Sequence, residues 1–480
     1  MPQDSKRDFL FDSDPRIRDV ARELYDSIKD LPLVCPHGHV DPAILSDPDY
    51  RFPNPTVLLV TPDHYVTRML HSHGIGYDQL GLPESKTNLD DKNARRIWQA
   101  FADNYHLFRL TPSKMWIDAE LSDVFGIEEA LSGKNAMKIY DAIDAKLKTG
   151  EFSPRALYGK FGIEVLCTTD AAADTLAHHR LIQNSDWQGD VRPTFRPDGL
   201  LNNIFSPEWR ENISKLSEAS GIDVHDYQSF LKALQQRREY FLQNGAVAAD
   251  HAALSPCFKD IGDWAAQLHF QRAIMRDHSR VSAPDEKDSR EFTAHMLMKM
   301  AEMSAEDGLV MQLHPGSYRN YDSCLLLTYG PDMGADIPTQ TEFTENLHSV
   351  LARFGNHPNF KLIVFTLDPT TYSRELAPLA GYYKSLFLGP PWWFFDSPKG
   401  IEQYLDSVVE TAGIQNLAGF NDDTRAFPSI KLRHDLWRRV TSNWVAREAA
   451  KGVVNLEEAI EIVKDLAYNR ARKTYNLAHS

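Results

Sequence analysis

The chain has 480 residues, 42% of them apolar, 25% charged and 11% aromatic, a composition that excludes a mainly disordered or fibrous protein. A formal net charge of −15 opposes binding to nucleic acid, and no run of about 18 apolar residues exists to span a membrane. The charged start, Met1 to Asp14, lacks the apolar stretch of a secretory leader, so a cytoplasmic location is expected, with no nucleic-acid or membrane partner; assembly into a homo-oligomer is left open.

The residues from Asp14 to Asp30 have helical periodicity (Ile17, Val20, Ala21, Leu24, Ile28) and open on Asp-Pro, a cap and first turn. A short apolar strand, Leu31 to Pro36, follows. About 120 residues then separate it from the next strand, and they read as helices, for example Asn93 to Tyr105 and Asn135 to Lys148. Seven further short apolar runs complete the series: Ile163 to Cys167, Val191 to Phe195, Ala246 to Ala249, Leu309 to Leu313, Leu362 to Thr366, Ser385 to Leu388 and Leu417 to Phe420. Amphipathic stretches lie between most of them, and an amphipathic tail runs from Asn455 to Leu477.

Strand followed by helix, repeated, argues for parallel pairing through right-handed crossovers, and eight repeats suffice to close a ring. The expected fold is therefore α/β, a single (β/α)8 barrel over residues 1–480 with a helical insertion at about 45–160 after the first strand. An open doubly wound sheet is the alternative, but no G-x-G-x-x-G follows the first strand. The four cysteines, Cys35, Cys167, Cys257 and Cys324, lack any C-x-x-C spacing and read as reduced, mostly buried thiols.

In such a barrel the reactive groups sit at the carboxyl ends of strands. Strand one runs into His37-Gly-His39, and alternation in an extended chain puts both imidazoles on one face. Strand eight ends in Asn-Asp-Asp-Thr-Arg, and ring closure makes it the neighbour of strand one. Asp423 then completes a two-histidine, one-carboxylate site for a divalent cation, zinc or a similar metal. One of Asp422 and Asp423 is expected to cap a helix instead. Arg196, between Phe195 and Pro197 at the end of strand three, and Arg425, two residues past Asp423, are candidate carboxylate clamps, because a planar guanidinium suits paired hydrogen bonds. Strand five ends at His314, with Arg319 and Asn320 beyond it. Trp392 and Trp393 after strand seven are placed to stack on a sugar or to pack beneath the mouth. Asp63-His64-Tyr65 combines an acid, an imidazole and a phenol at an expected helix start.

These segments together, PHGHVDP at 36–42, TPDHYVTRML at 61–70, TTDAAAD at 168–174, PTFRPD at 193–198, MQLHPGSYRN at 311–320, PPWWFFDSP at 390–398 and NDDTRAF at 421–427, resemble the uronate isomerase (glucuronate isomerase) family of the amidohydrolase superfamily over nearly the whole chain. The resemblance implies a hexuronate substrate and an enediol route between aldehyde and ketone. It implies His37, His39 and Asp423 as metal ligands, His64 and Tyr65 as active-site polar groups, and Arg196 and Arg425 as substrate contacts. Two departures stand out. Pro36 precedes His37 where many relatives open Asp-x-His-x-His, and Asp250-His251-Ala252 stands where Asp-His-Gly is expected. The competing reaction, two-metal hydrolysis, wants a lysine after strand four and a histidine after strand six, and neither is present. A silent sugar-acid sensor is the competing reading from outside enzymology.

Overall fold

The computed structural model describes residues 7–83, 89–276 and 286–477. Its strands are β1 (Leu33–Cys35), β2 (Ile163–Cys167), β3 (Asp170–Ala171), β4 (Asp190–Arg192), β5 (Phe195–Arg196), β6 (Ala248–Ala253), β7 (Val310–Pro315), β8 (Ser317–Tyr318), β9 (Ile337–Pro338), β10 (Leu362–Val364) and β11 (Leu386–Leu388). All pairings are parallel except the small β8–β9 hairpin. One sheet has the order β1-β2-β4 and another the order β11-β10-β7-β6-β5-β3.

The two parallel sheets are successive lengths of the same strands. The second expected run continues from β2 into β3 and the third from β4 into β5. Backbone bonds from Thr168 N–H to Arg192 O (2.9 Å) and from Asp170 N–H to Thr194 O (3.0 Å) carry the ladder across the break. Seven of the eight expected runs thus lie side by side in chain order. The eighth joins by a bridge between Leu388 and Leu417, where Ala418 N–H donates to Leu388 O at 2.8 Å. Among the described residues no ladder pairs this eighth run with β1. A single backbone bond, His39 N–H to Thr424 O, links the segments that follow them.

Alternation along the strands sorts their side chains into two cores. Val34, Val165, Ala248, Val310, Ile363 and Ala418 meet in one cluster, sealed by Tyr475 and Leu477 of the tail. Their neighbours Met311, Leu313, Leu362 and Val364 face the helical side. Tyr475 Oη donates to Gln312 Oε1 at 2.9 Å, anchoring the tail against β7.

Between β1 and β2 the described chain is helical, including His64–Ser72, Asp91–Asp103, Pro112–Ala119 and Ala136–Leu147. Polar side chains start several of these: Asp63 accepts from Tyr65 N, Asp90 from Asn93 N and Thr111 from Lys114 N. Their apolar faces pack with the outward residues Leu33, Cys35, Ile163, Leu166 and Val191 of β1, β2 and β4, so this helical stretch has a core of its own resting on three strands. The helix expected from Asp14 is Pro15–Asp26, with the Asp14 carboxylate accepting from Arg16 N as its cap. The tail expected as one helix is broken into Leu456–Lys464, a π turn at Asp465–Asn469, and Arg470–Thr474. Two of the four cysteines, Cys35 and Cys167, are buried, whereas Cys324 is exposed, correcting the expectation of mostly buried thiols. Among the described residues no helix is long and apolar enough to cross a membrane. Residues 1–6 of the charged start lie outside the described residues.

Candidate active site

One cavity gathers the strand-end residues. His37, His39, His64, Tyr65, Arg196, His314, Arg319, Trp392, Trp393, Asp423 and Arg425 all line it.

Its centre is the meeting of β1 with the segment after the eighth run. His37 Nε2 lies 3.5 Å and His39 Nε2 3.1 Å from Asp423 Oδ1. Tetrahedral coordination with metal–ligand distances of about 2.0–2.1 Å sets ligand atoms roughly 3.3 Å apart; both nitrogens lie near that distance from the carboxylate oxygen, and the three ligand atoms fall within 4.8 Å of one another, a group that could hold a metal ion. Asp423 reaches this point through a left-handed backbone, φ +43°, a strained conformation for a residue with a Cβ and one that recurs at functional positions. Burial holds His39 down at about 4, and the Asp423 carboxylate beside it only partly offsets this, so the ring is neutral and its lone pair is available. Asp423 itself is held well below the usual carboxylate range: burial opposes ionisation, but the two histidines outweigh it. His37 is oriented by stacking on His314, ring centroids 4.7 Å apart, while its Nδ1 is buried without a hydrogen-bond partner.

A second polar group adjoins the first. His314 Nδ1 is 2.7 Å from Asp250 Oδ1, and Arg196 Nη1 is 3.3 Å from Asp250 Oδ2. Burial would neutralise Asp250, yet His314, Arg196 and His37 hold it ionised. Arg196 also meets Asp198 through Nε at 2.7 Å. The expected clamp therefore borders the cavity with two carboxylates already on its guanidinium. His251, one residue beyond Asp250, turns away and sits 3.1 Å from the Gln312 carbonyl oxygen.

His64 and Tyr65 open their helix as expected, and both are half-buried. Burial first, with Arg425 adding to it, holds His64 down at about 3, and burial pushes the Tyr65 phenol well up, so both are neutral groups. Arg425 is exposed at the rim. Arg319, also exposed, lies 5.3 Å over the Trp393 ring with Asp332 3.7 Å away. The two tryptophans pack on other rings: Trp392 on His314 at 4.8 Å and Trp393 on His64 at 5.3 Å.

Asp422 does not cap a helix, and neither does Asp423: the helix Ile430–Ala450 starts without a side-chain cap. Asp422 is buried, with Oδ1 3.4 Å from His434 Nε2, and Cys35 Sγ is 3.6 Å from the same nitrogen. Cys35, Asp422 and His434 thus form a buried trio next in sequence to the ligand-bearing segments.

Sequence reasoning missed part of the wall. The insertion contributes Ser113, Trp116 and Glu120, and the helix after Asp423 contributes Arg433. Arg433 lies 3.8 Å over the Trp116 ring, and its Nη1 donates to Asp396 Oδ2 at 2.6 Å and to Asp422 O at 3.1 Å. A lone acid or arginine within a helical pattern carries no local sign of facing a cavity. Asp250 did have a signal, since it ends a strand.

The solved structure of glucuronate isomerase from Caulobacter crescentus superposes with a TM-score of 0.93 at 43% identity, covering 98% of this chain and 97% of that one. Uronate isomerase from Thermotoga maritima gives 0.89 at 30% identity, covering 98% and 99%. In sequence, the uronate isomerase of Nostoc punctiforme is 48% identical over 472 residues, 98% of either chain. The glucuronate isomerase family model matches residues 3–475, so both the strand-end residues and the insertion wall fall within the match, and the chain belongs to the glucuronate isomerase family.

Proposed function

We propose that the chain interconverts the aldehyde and ketone forms of hexuronates, D-glucuronate with D-fructuronate and D-galacturonate with D-tagaturonate, by proton transfer through an enediol. The scaffold is a single (β/α)8 barrel with the insertion at about 45–160 forming one wall of its mouth. Supporting the barrel are the parallel order of the expected runs, the shared cluster of alternate side chains and the His39–Thr424 backbone bond.

The observation that carries the reaction is the convergence of one ionised carboxylate, Asp423, with a neutral phenol, Tyr65, and the cationic Arg425 around a single cavity. Asp423 takes the proton from the hydroxyl-bearing carbon next to the aldehyde, the electron pair left behind forms the enediolate, and the proton is then returned to the former aldehyde carbon as the neighbouring hydroxyl gives up its own proton and becomes the ketone. Arg425 stabilises the oxygen on which negative charge develops. Tyr65, un-ionised, donates to that oxygen, and His64 holds neutral polar contact beside it. His37, His39 and Asp423 would hold a divalent cation such as zinc, which would supply further positive charge to the site. Arg196 holds the substrate carboxylate through the part of its fork that Asp198 and Asp250 leave free, assisted by His314 and Arg319. Trp392 and Trp393 shape the apolar side.

Purified protein incubated with a panel of hexuronates and neutral aldohexoses, with and without chelator, and assayed for ketose, tests this. Turnover confined to the uronates is expected. Turnover of neutral aldoses alone, or release of an amine or alcohol from an amide or lactone, overturns it.

A further inference from the structure

The chemistry above leaves Glu120 and Trp116 unused. Both line the cavity, and they stand four residues apart where the helix Pro112–Ala119 runs into a π-helical turn, Glu120–Val124. Residues at that spacing share a helix face, and π turns recur at functional sites. Glu120 is 3% and Trp116 4% exposed. The Trp116 indole N–H is buried with no hydrogen-bond partner, and among the described residues nothing donates to the Glu120 carboxyl. The nearby cation, Arg433, pairs with Asp396 through Nη1, while its Nε is buried without a partner. Buried polar groups are ordinarily paired, so the orphan indole N–H beside a carboxyl that receives no donor on the same cavity-facing wall marks where a ligand completes them.

The ligand's chemistry follows from theirs. Burial, reinforced by Asp63 and opposed by Arg433, pushes the Glu120 carboxyl up to about 8, which keeps it a neutral acid with one donor and one acceptor. The indole adds a second donor. A sugar hydroxyl, which both donates and accepts, is the matching group. We propose that Trp116 Nε1 and Glu120 form a hydroxyl-recognition subsite that reads a hydroxyl lying between the reacting carbon pair and the substrate carboxylate. The inserted helices thereby set stereochemical preference among hexuronates. This rests on the uronate reading given above.

The test compares the parent with Glu120→Gln, Glu120→Ala and Trp116→Phe on the two C4-epimeric hexuronates and on 3-deoxy, 4-deoxy and 5-deoxy analogues, with thermal melts to check folding. Glu120→Ala and Trp116→Phe should each lower kcat/KM roughly ten- to a hundred-fold on the hydroxylated substrate, while Glu120→Gln, which keeps donor and acceptor, should stay within about three-fold of the parent. On the deoxy analogue lacking the contacted hydroxyl those losses should vanish. Equal losses on every analogue would mean that the pair only packs the wall, and a Glu120→Gln defect as deep as that of Glu120→Ala would mean that the neutral acid is not what binds; either overturns the proposal. A parent inert on all hexuronates would overturn the uronate reading itself, a distinct outcome seen before any variant is compared.

Discussion

The backbone N–H of His39 donates to the carbonyl oxygen of Thr424 at 2.9 Å, tying the end of β1 to the segment that carries Asp423. Two stretches of chain nearly four hundred residues apart are thereby held in the register that brings both imidazoles onto one carboxylate oxygen. Because the ligand set depends on both imidazoles, purified parent protein should retain a divalent cation through dialysis and His37→Ala should retain far less. Elemental analysis decides it, and equal content in the two proteins would rule the site out.

Tyr65 is half-buried and neutral, a group suited to donate a proton and not to abstract one. Tyr65→Phe keeps the ring contact with Trp116, 6.1 Å between centroids, and removes only the hydroxyl. A positioned acid contributes about 10²–10⁴-fold, so kcat should fall by that order with KM and thermal stability little changed. A kcat equal to the parent's would remove Tyr65 from the chemistry.

Arg196 has a double role, since it lines the cavity and also balances the buried Asp250. Arg196→Lys keeps the charge and loses the fork. Loss of a charged hydrogen bond worth about 1.5–3 kcal/mol should lower kcat/KM for uronates roughly ten- to a hundred-fold. Arg196→Ala should show the same kinetic loss plus a lower urea midpoint, because a buried carboxylate is left with His314 as its main partner. Unchanged kcat/KM in both variants would transfer the clamp to Arg319 or Arg425.

If Asp423 removes and returns a proton through an enediol, reaction in deuterated water should place solvent label on the carbon that gains hydrogen. Mass spectrometry of the product reads this directly. Label would exclude a direct hydride shift between the carbons; none, even after prolonged equilibration of substrate and product, would argue for one.

The tail that seals the strand interior is structural. Tyr475→Ala should cost about 3–5 kcal/mol of stability through the cavity it opens. Tyr475→Phe, which leaves Gln312 Oε1 without its donor, should cost about 1–3 kcal/mol. Chemical denaturation measures both, and kcat of the folded fraction should be unchanged because Tyr475 does not line the cavity.

Much of this protein is written in short-range patterns. Period-two alternation in each run assigns Val34, Val310 and Ile363 to one face and their neighbours to the other. Asp14 and Asp63 announce helix starts, because a cap needs only a side chain two or three residues from the amide it serves. The H-x-H pair and the polar strand ends were legible for the same reason: an extended chain fixes the side on which a residue emerges. Other features depend on what lies across space. The split of the second and third runs into β2–β3 and β4–β5 follows from pairing, not from propensity. Asp422 looked like a cap and is instead beside His434 and near Cys35, and Arg196 looked free and is held by Asp198 and Asp250. Trp116 and Glu120 carry no local mark, since only the packing of the insertion core on β1, β2 and β4 turns that helix face toward the cavity. Sequence alone determined which residues have the chemistry to act; the tertiary structure decided which of them meet, because side-chain direction is a local property of the backbone whereas burial and charge pairing are properties of neighbours distant in the chain.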